Sequence, residues 1–131
     1  MASDVRADRR YTKDHEWAKT EDGAVLVGIT AYAVDQLGDI TLVNLDVKAG
    51  DTVAEGKAFG TIESVKTLSD LFAPIAGKVV AVNDELVNKP ESVNGDCWAA
   101  WMVKIEPADP KKVDELLEAK AYEALLASID H

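Results

Sequence analysis

Lys66 is the residue in this chain best placed for chemistry. It stands in Glu63-Ser64-Val65-Lys66-Thr67-Leu68-Ser69-Asp70, between two runs that favour extended chain, Ala58 to Ile62 and Leu71 to Val82. That spacing puts it near the tip of an expected hairpin, where a lysine projects into water. Another enzyme can reach such a side-chain nitrogen without unfolding the domain, so the position suits covalent attachment of a cofactor. A Schiff-base lysine needs a different setting, in which burial or a neighbouring cation lowers its pKa. Here Glu63 and Asp70 bring negative charge close in sequence and favour the ammonium form. The residues alone leave two readings, a lysine modified by another enzyme and a plain solvated lysine. The turn itself is not specified by its composition, since Ser64-Val65-Lys66-Thr67 contains no Gly, Asn, Asp or Pro.

Other chemistry-bearing residues are sparse. His15 and His131 are the only histidines and lie far apart in sequence, and His15-Glu16 lacks the second histidine of a zinc-protease helix, which argues against a metal site. Cys97 has no histidine beside it, and no serine sits in a Gly-x-Ser-x-Gly elbow, so nucleophilic catalysis is not expected. As the only cysteine, Cys97 cannot form an intrachain disulfide, which fits a reducing cytosol and a cytoplasmic protein.

The elements that must position Lys66 can be read from local signals. At 131 residues and 47% hydrophobic content the chain fits one domain, expected over 11–131 behind a flexible segment 1–10. Tyr11 to Trp17 and Ala24 to Ile29 flank Asp22-Gly23, a hairpin signal. Thr30 to Leu37 reads as a short helix with Thr30 as N-cap and Gly38 as its stop, and Ile40 to Val47 as a strand. Asn83 to Val87 suggests another short helix, capped by Asn83 or Asp84, and Trp98, Trp101, Met102, Val103 and Ile105 a last core strand. From Asp109 the pattern becomes helical. Asp109 is a cap, Pro110 the first residue, and Val113, Leu116 and Leu117 one face. A second helix is expected over Tyr122 to Ile129, with Leu125, Leu126 and Ile129 together.

Charge excludes some partners. A net charge of −10, with 24 acidic residues against 14 basic ones, opposes attraction to a phosphate backbone, so nucleic acid is not expected. No apolar run approaches the length needed to cross a bilayer, and no membrane association is expected. A monomer is expected.

Several motifs, in order, decide between the two readings of Lys66. The segments Tyr11-Thr12-Lys13-Asp14-His15-Glu16-Trp17, Val27-Gly28-Ile29-Thr30, Leu37-Gly38-Asp39-Ile40, Glu63-Ser64-Val65-Lys66, Ala73-Pro74-Ile75-Ala76-Gly77 and Val93-Asn94 together resemble the glycine cleavage H-protein family over about Tyr11 to Tyr122. The resemblance implies a mainly β fold with C-terminal helices from about residue 109, a barrel-sandwich hybrid of two small antiparallel sheets. It also implies a carrier rather than an enzyme, with lipoate amide-linked to Lys66 and Glu63, Ser64, Val65 and Asp70 as the neighbours of the modified residue.

The implied partners are a lipoate ligase or a lipoyl or octanoyl transferase, which load the cofactor, and three enzymes that use it. These are a glycine decarboxylase, a tetrahydrofolate-dependent aminomethyltransferase and a dihydrolipoyl dehydrogenase, between which the aminomethyl group is shuttled and the dithiol reoxidised. Such a family shelters its loaded arm near residues matching Glu16 and Gln36. The chain departs from the family pattern at Gln36 and Ala31, where His and Asp are common, and at Asp96-Cys97-Trp98-Ala99-Ala100-Trp101, a shortened region. Cys97, if exposed, could exchange with a nearby lipoyl disulfide. A carrier serving another lipoate pathway, or an unmodified β-domain used for protein binding, are the alternatives. A biotin carrier is disfavoured because Lys66 is flanked by Val65 and Thr67 rather than Met.

Overall fold

The computed structural model describes residues 5–129; His131 and the first four residues of the segment expected to be flexible lie outside the described residues. Among the described residues, nine strands form two antiparallel sheets. The six-stranded sheet runs β1 (Arg10–Tyr11), β2 (Glu16–Glu21), β3 (Ala24–Ile29), β9 (Val103–Pro107), β8 (Gly77–Val82), β5 (Thr52–Val53). The three-stranded sheet runs β4 (Ile40–Leu45), β6 (Ala58–Ser64), β7 (Leu68–Phe72). Val25, Val27, Val79 and Ile105 of the first sheet and Val43, Phe59, Ile62 and Leu71 of the second are all buried in a single core. The fold class implied by the motifs is therefore present, as two facing sheets rather than a closed barrel.

Local signals explain much of this. Asp22 and Gly23 both adopt positive φ, 53° and 83°, the conformation a two-residue hairpin turn between twisted strands requires, and β2 pairs with β3 from Glu21↔Ala24 to Glu16↔Ile29. Helix α1 (Ala31–Leu37) starts where Thr30 Oγ1 accepts the Ala33 amide and stops at Gly38, whose φ of 82° and ψ of −150° suit a residue without a side chain. The extended stretch expected over Leu71 to Val82 is two strands, interrupted at Ala73–Ala76 by Pro74, which has no amide to give a ladder. Arg9, just before β1, lies over the Trp17 ring at 4.5 Å and the Trp98 ring at 5.2 Å.

Four local expectations need correction. The segment after Asp109 is a 3-10 helix, Pro110–Glu115, not an α-helix: the Asp109 carboxylate accepts the Lys111 amide as a cap should, but Leu117 exchanges two backbone hydrogen bonds with Tyr11, of 2.8 and 2.9 Å, and the chain must be extended there. Leu116 and Leu117 thus lie beyond the helix that Val113 belongs to. The last helix, α4 (Ala119–Ile129), begins three residues earlier than expected and buries Tyr122 and Leu126, an i, i+4 pair, while Ile129 is 46% exposed. Asn83 precedes α2 (Asp84–Asn88) without a side-chain cap, because its amide instead donates to the Trp101 carbonyl at 2.8 Å. Trp98, Trp101 and Met102 precede β9 rather than forming part of it: Asp96 accepts the Trp98, Ala99 and Ala100 amides and curls the chain into a turn.

Candidate functional site

Lys66 occupies the loop between β6 and β7, whose register closes with Glu63↔Leu68. Val65 and Lys66 are both exposed, Val65 to 67%, and neither has positive φ. The turn comes from Ser64. Its amide donates to the Thr67 carbonyl at 2.8 Å, and its hydroxyl oxygen accepts both the Lys66 amide at 3.1 Å and the Thr67 amide at 3.2 Å. This side-chain turn replaces the Gly or Asn that a two-residue hairpin otherwise uses, and Ser at the first turn position is the signal a sequence reading could have used.

The loop is tied to the corner that follows α1. The Val65 amide donates to the Asp39 carbonyl at 3.0 Å, and the Lys66 methylenes lie along Gly38, where an added Cβ would stand 3.4 Å from the lysine Cε. Among the described residues no carboxylate forms an ion pair with the ammonium, so Glu63 and Asp70 flank Lys66 in sequence without holding it. Glu63 pairs across to Leu42 on one side and Leu68 on the other, and Asp70 faces Thr61.

Between α1 and the hairpin opens a cleft of about 160 Å³ whose walls include Glu16, Gln36, His15, Tyr32 and Asp70. Glu16 and Gln36, twenty residues apart in sequence, are thus brought to one cleft, with Asp70 of the lysine hairpin. They differ in setting. Gln36 is exposed, whereas Glu16 is only 3% exposed and joins the two sheets: Oε2 accepts the Phe72 amide of β7 at 3.1 Å and Oε1 accepts the Thr12 hydroxyl at 3.1 Å. Burial pushes the Glu16 carboxyl up to about 8, against the pull of those two donors and with a further upward push from Asp14.

His15 lines the cleft wall at a φ of 69°, a position to which the sequence assigned no role. Its Nδ1 lies 2.9 Å from the Tyr122 hydroxyl, which is 2.7 Å from Thr30 Oγ1. Thr30 Oγ1 also accepts the Ala33 amide, so His15, Tyr122 and Thr30 form one continuous hydrogen-bonded chain. Burial pushes the ring's pKa down while Asp14 opposes the shift.

Cys97 is 8% exposed, and its carbonyl accepts the Trp17 indole N–H at 3.1 Å. The exposure needed for exchange with a lipoyl disulfide is absent. No helix among the described residues is long and apolar enough to cross a membrane.

Two antiparallel sheets that display a lysine on a tight, exposed hairpin have the architecture of a cofactor-carrier domain. The sequence pattern that defines the family described as "Glycine cleavage H-protein" matches residues 9–129. A glycine cleavage system H protein of Myxococcus xanthus is 51% identical over 127 residues, covering 96% of this chain and 98% of that one. One of Koribacter versatilis is 52% identical over 121 residues, covering 92% and 93%. The crystal structure of a glycine cleavage system H protein from Mycobacterium marinum superposes with a TM-score of 0.83 at 38% identity, covering 97% of this chain and all of that one. The chain belongs to the glycine cleavage H-protein family, whose members are lipoate carriers of the glycine cleavage system.

Proposed function

We propose that Lys66 is the residue that carries lipoate, and that the chain shuttles the aminomethyl group from a glycine decarboxylase to a tetrahydrofolate-dependent aminomethyltransferase before reoxidation by a dihydrolipoyl dehydrogenase. The observation that carries this reading is the placement of Lys66 at the exposed tip of a hairpin whose turn is held by the Ser64 hydroxyl. A lipoate ligase or a lipoyl or octanoyl transferase can seat such a tip in its active site while the sheets remain folded. In ligase chemistry the Lys66 nitrogen loses a proton, attacks the activated carboxyl carbon and expels AMP, leaving a neutral amide. The bound group supplies a dithiolane that takes up the aminomethyl unit and changes redox state.

The chain's own residues would then do the sheltering. The walls of the cleft beside the hairpin include Glu16, held uncharged near neutrality by burial, and Gln36, which can hydrogen-bond an amine but cannot titrate. Glu63, Ser64, Val65 and Asp70 form the surface a loading enzyme meets around the lysine. A reducing cytoplasm and a monomeric state fit a carrier that must visit several enzymes in turn.

Intact-mass spectrometry of the protein from its native host, with peptide mapping, tests the attachment. The expected result is a lipoyl adduct on Lys66 and none on a Lys66→Arg variant; an unmodified Lys66 under lipoate-replete growth overturns it. Glycine–bicarbonate exchange with the glycine decarboxylase separates this pathway from other uses of lipoate, since only a glycine-cleavage carrier supports it.

A further inference from the structure

We propose that Asn94 is a positioning residue for Lys66, acting through the Gly38–Ile40 corner; the proposal rests on the reading of Lys66 as an acylated lysine. Asn94 stands on a single helical turn, α3 (Ser92–Gly95), anchored by the buried Val93. Its side-chain amide makes two hydrogen bonds to the backbone on either side of Asp39. Nδ2 donates to the Gly38 carbonyl at 3.0 Å, and Oδ1 accepts the Ile40 amide at 2.8 Å. Donor and acceptor are both satisfied, as a planar amide clipped to an extended dipeptide allows.

The clip has a directional consequence. With the Gly38 carbonyl and the Ile40 amide turned toward Asn94, the Asp39 carbonyl between them is the group that accepts the Val65 amide of the hairpin at 3.0 Å. The same corner presents the bare Cα of Gly38 to the Lys66 methylenes. Asn94, 28 positions beyond Lys66, is thus joined to the lysine loop by two hydrogen bonds to Gly38 and Ile40 and a third from Val65 to Asp39 between them. Gly38 leaves the helix in a conformation that only glycine adopts readily, so without the clip this corner has more backbone freedom than most. Loss of Asn94 frees the corner, and with it the direction in which the lysine leaves the surface. For a loading enzyme that must bring the amine to an activated carboxyl carbon, orientation of this kind acts on the chemical step.

The test compares the full chain with Asn94→Ala and Asn94→Asp. Amide hydrogen exchange at Val65 and Ile40 is measured by NMR, and acylation of Lys66 by a lipoate ligase with lipoate and ATP is followed by intact mass. In Asn94→Ala, exchange at Val65 and Ile40 is expected to accelerate about tenfold or more while Val43 and Ile62 keep their protection. The kcat for acylation is expected to fall several-fold with KM changed less than twofold. Asn94→Asp keeps the acceptor for Ile40 but loses the donor to Gly38, and is expected to restore protection at Ile40 without restoring kcat. If Asn94→Ala lowers the melting temperature too far to assay, Asn94→Asp alone decides. Unchanged exchange at Val65, or faster exchange with an unchanged kcat, overturns the positioning role alone. No acylation of the wild-type chain overturns the carrier reading and the positioning role together, while the exchange data still report whether the clip exists.

Discussion

The Glu16 carboxylate, on the six-stranded sheet, accepts the backbone amide of Phe72 on the three-stranded sheet, and at 3% exposure it does so almost out of contact with water. A single side chain thus pins β7, and with it the base of the lysine hairpin, to the opposite layer. Its carboxyl is pushed up from 4.5 to about 8 by burial, so the folded chain holds a proton there that the unfolded chain releases. This contribution to stability is full below about pH 4.5 and is lost as pH rises through 8. His15 acts in the other direction: its depressed pKa means that stability is lost as pH falls below its unfolded value of 6.5. Between pH 6.5 and 8 the slope is therefore Glu16's, up to about 1.4 kcal/mol per pH unit. Glu16→Gln, which still accepts from Phe72, should flatten urea-unfolding stability across that window. An equal slope in both proteins would remove Glu16 as its source.

Gly38→Ala should destabilise the fold by about 1–3 kcal/mol, because a side chain is strained at this φ and ψ. The new methyl would also stand 3.4 Å from Lys66 Cε, in van der Waals contact with the lysine's stem. Equilibrium denaturation measures the first effect and the mobility of the Lys66 side chain by NMR the second. A variant with wild-type stability would show that the corner relaxes without strain.

Tyr122→Phe removes the hydroxyl that joins Thr30 to His15. The Thr30 hydroxyl is buried and loses its Tyr122 hydrogen-bond partner, so a cost of about 1–3 kcal/mol is expected. The ring stack of Tyr122 on Tyr11, with centroids 4.5 Å apart, is retained by Phe. Chemical denaturation should register the loss, and the His15 Nδ1 chemical shift should move as that nitrogen loses its hydrogen-bond partner.

Cys97 should resist thiol reagents in the folded chain and react on denaturation, because it is buried. The rate of arm reoxidation by a dihydrolipoyl dehydrogenase should be the same in Cys97→Ser as in the wild type. Rapid labelling of the native chain would restore exchange with the lipoyl disulfide as a reaction open to this thiol.

Elements whose signals are local are legible in the sequence. Thr30 and Gly38 bracket α1 because a hydroxyl cap and a residue tolerant of positive φ act within one turn of their own positions. Asp22-Gly23 sets its hairpin for the same reason. The Lys66 loop is legible as a hairpin tip from its flanking strands, and its turn-former, Ser64, is a weaker signal there than Gly, Asn, Asp or Pro would be. Leu116 and Leu117 mislead because their helical spacing competes with a partner, Tyr11, more than a hundred residues earlier.

Taken alone, the sequence specified the family through six ordered motifs, singled out the lysine those motifs surround, and placed most strands and caps, all of which depend on residue type and short-range geometry. It took the folded chain to make Glu16 a buried tie between sheets, to hold His15 by Tyr122, to seal Cys97 away, and to bring Asn94 to the lysine loop through the Gly38–Ile40 corner. Each of these depends on which distant backbone group arrives beside a side chain. Burial and hydrogen-bond partnership are properties of that arrival, and no window of sequence contains them.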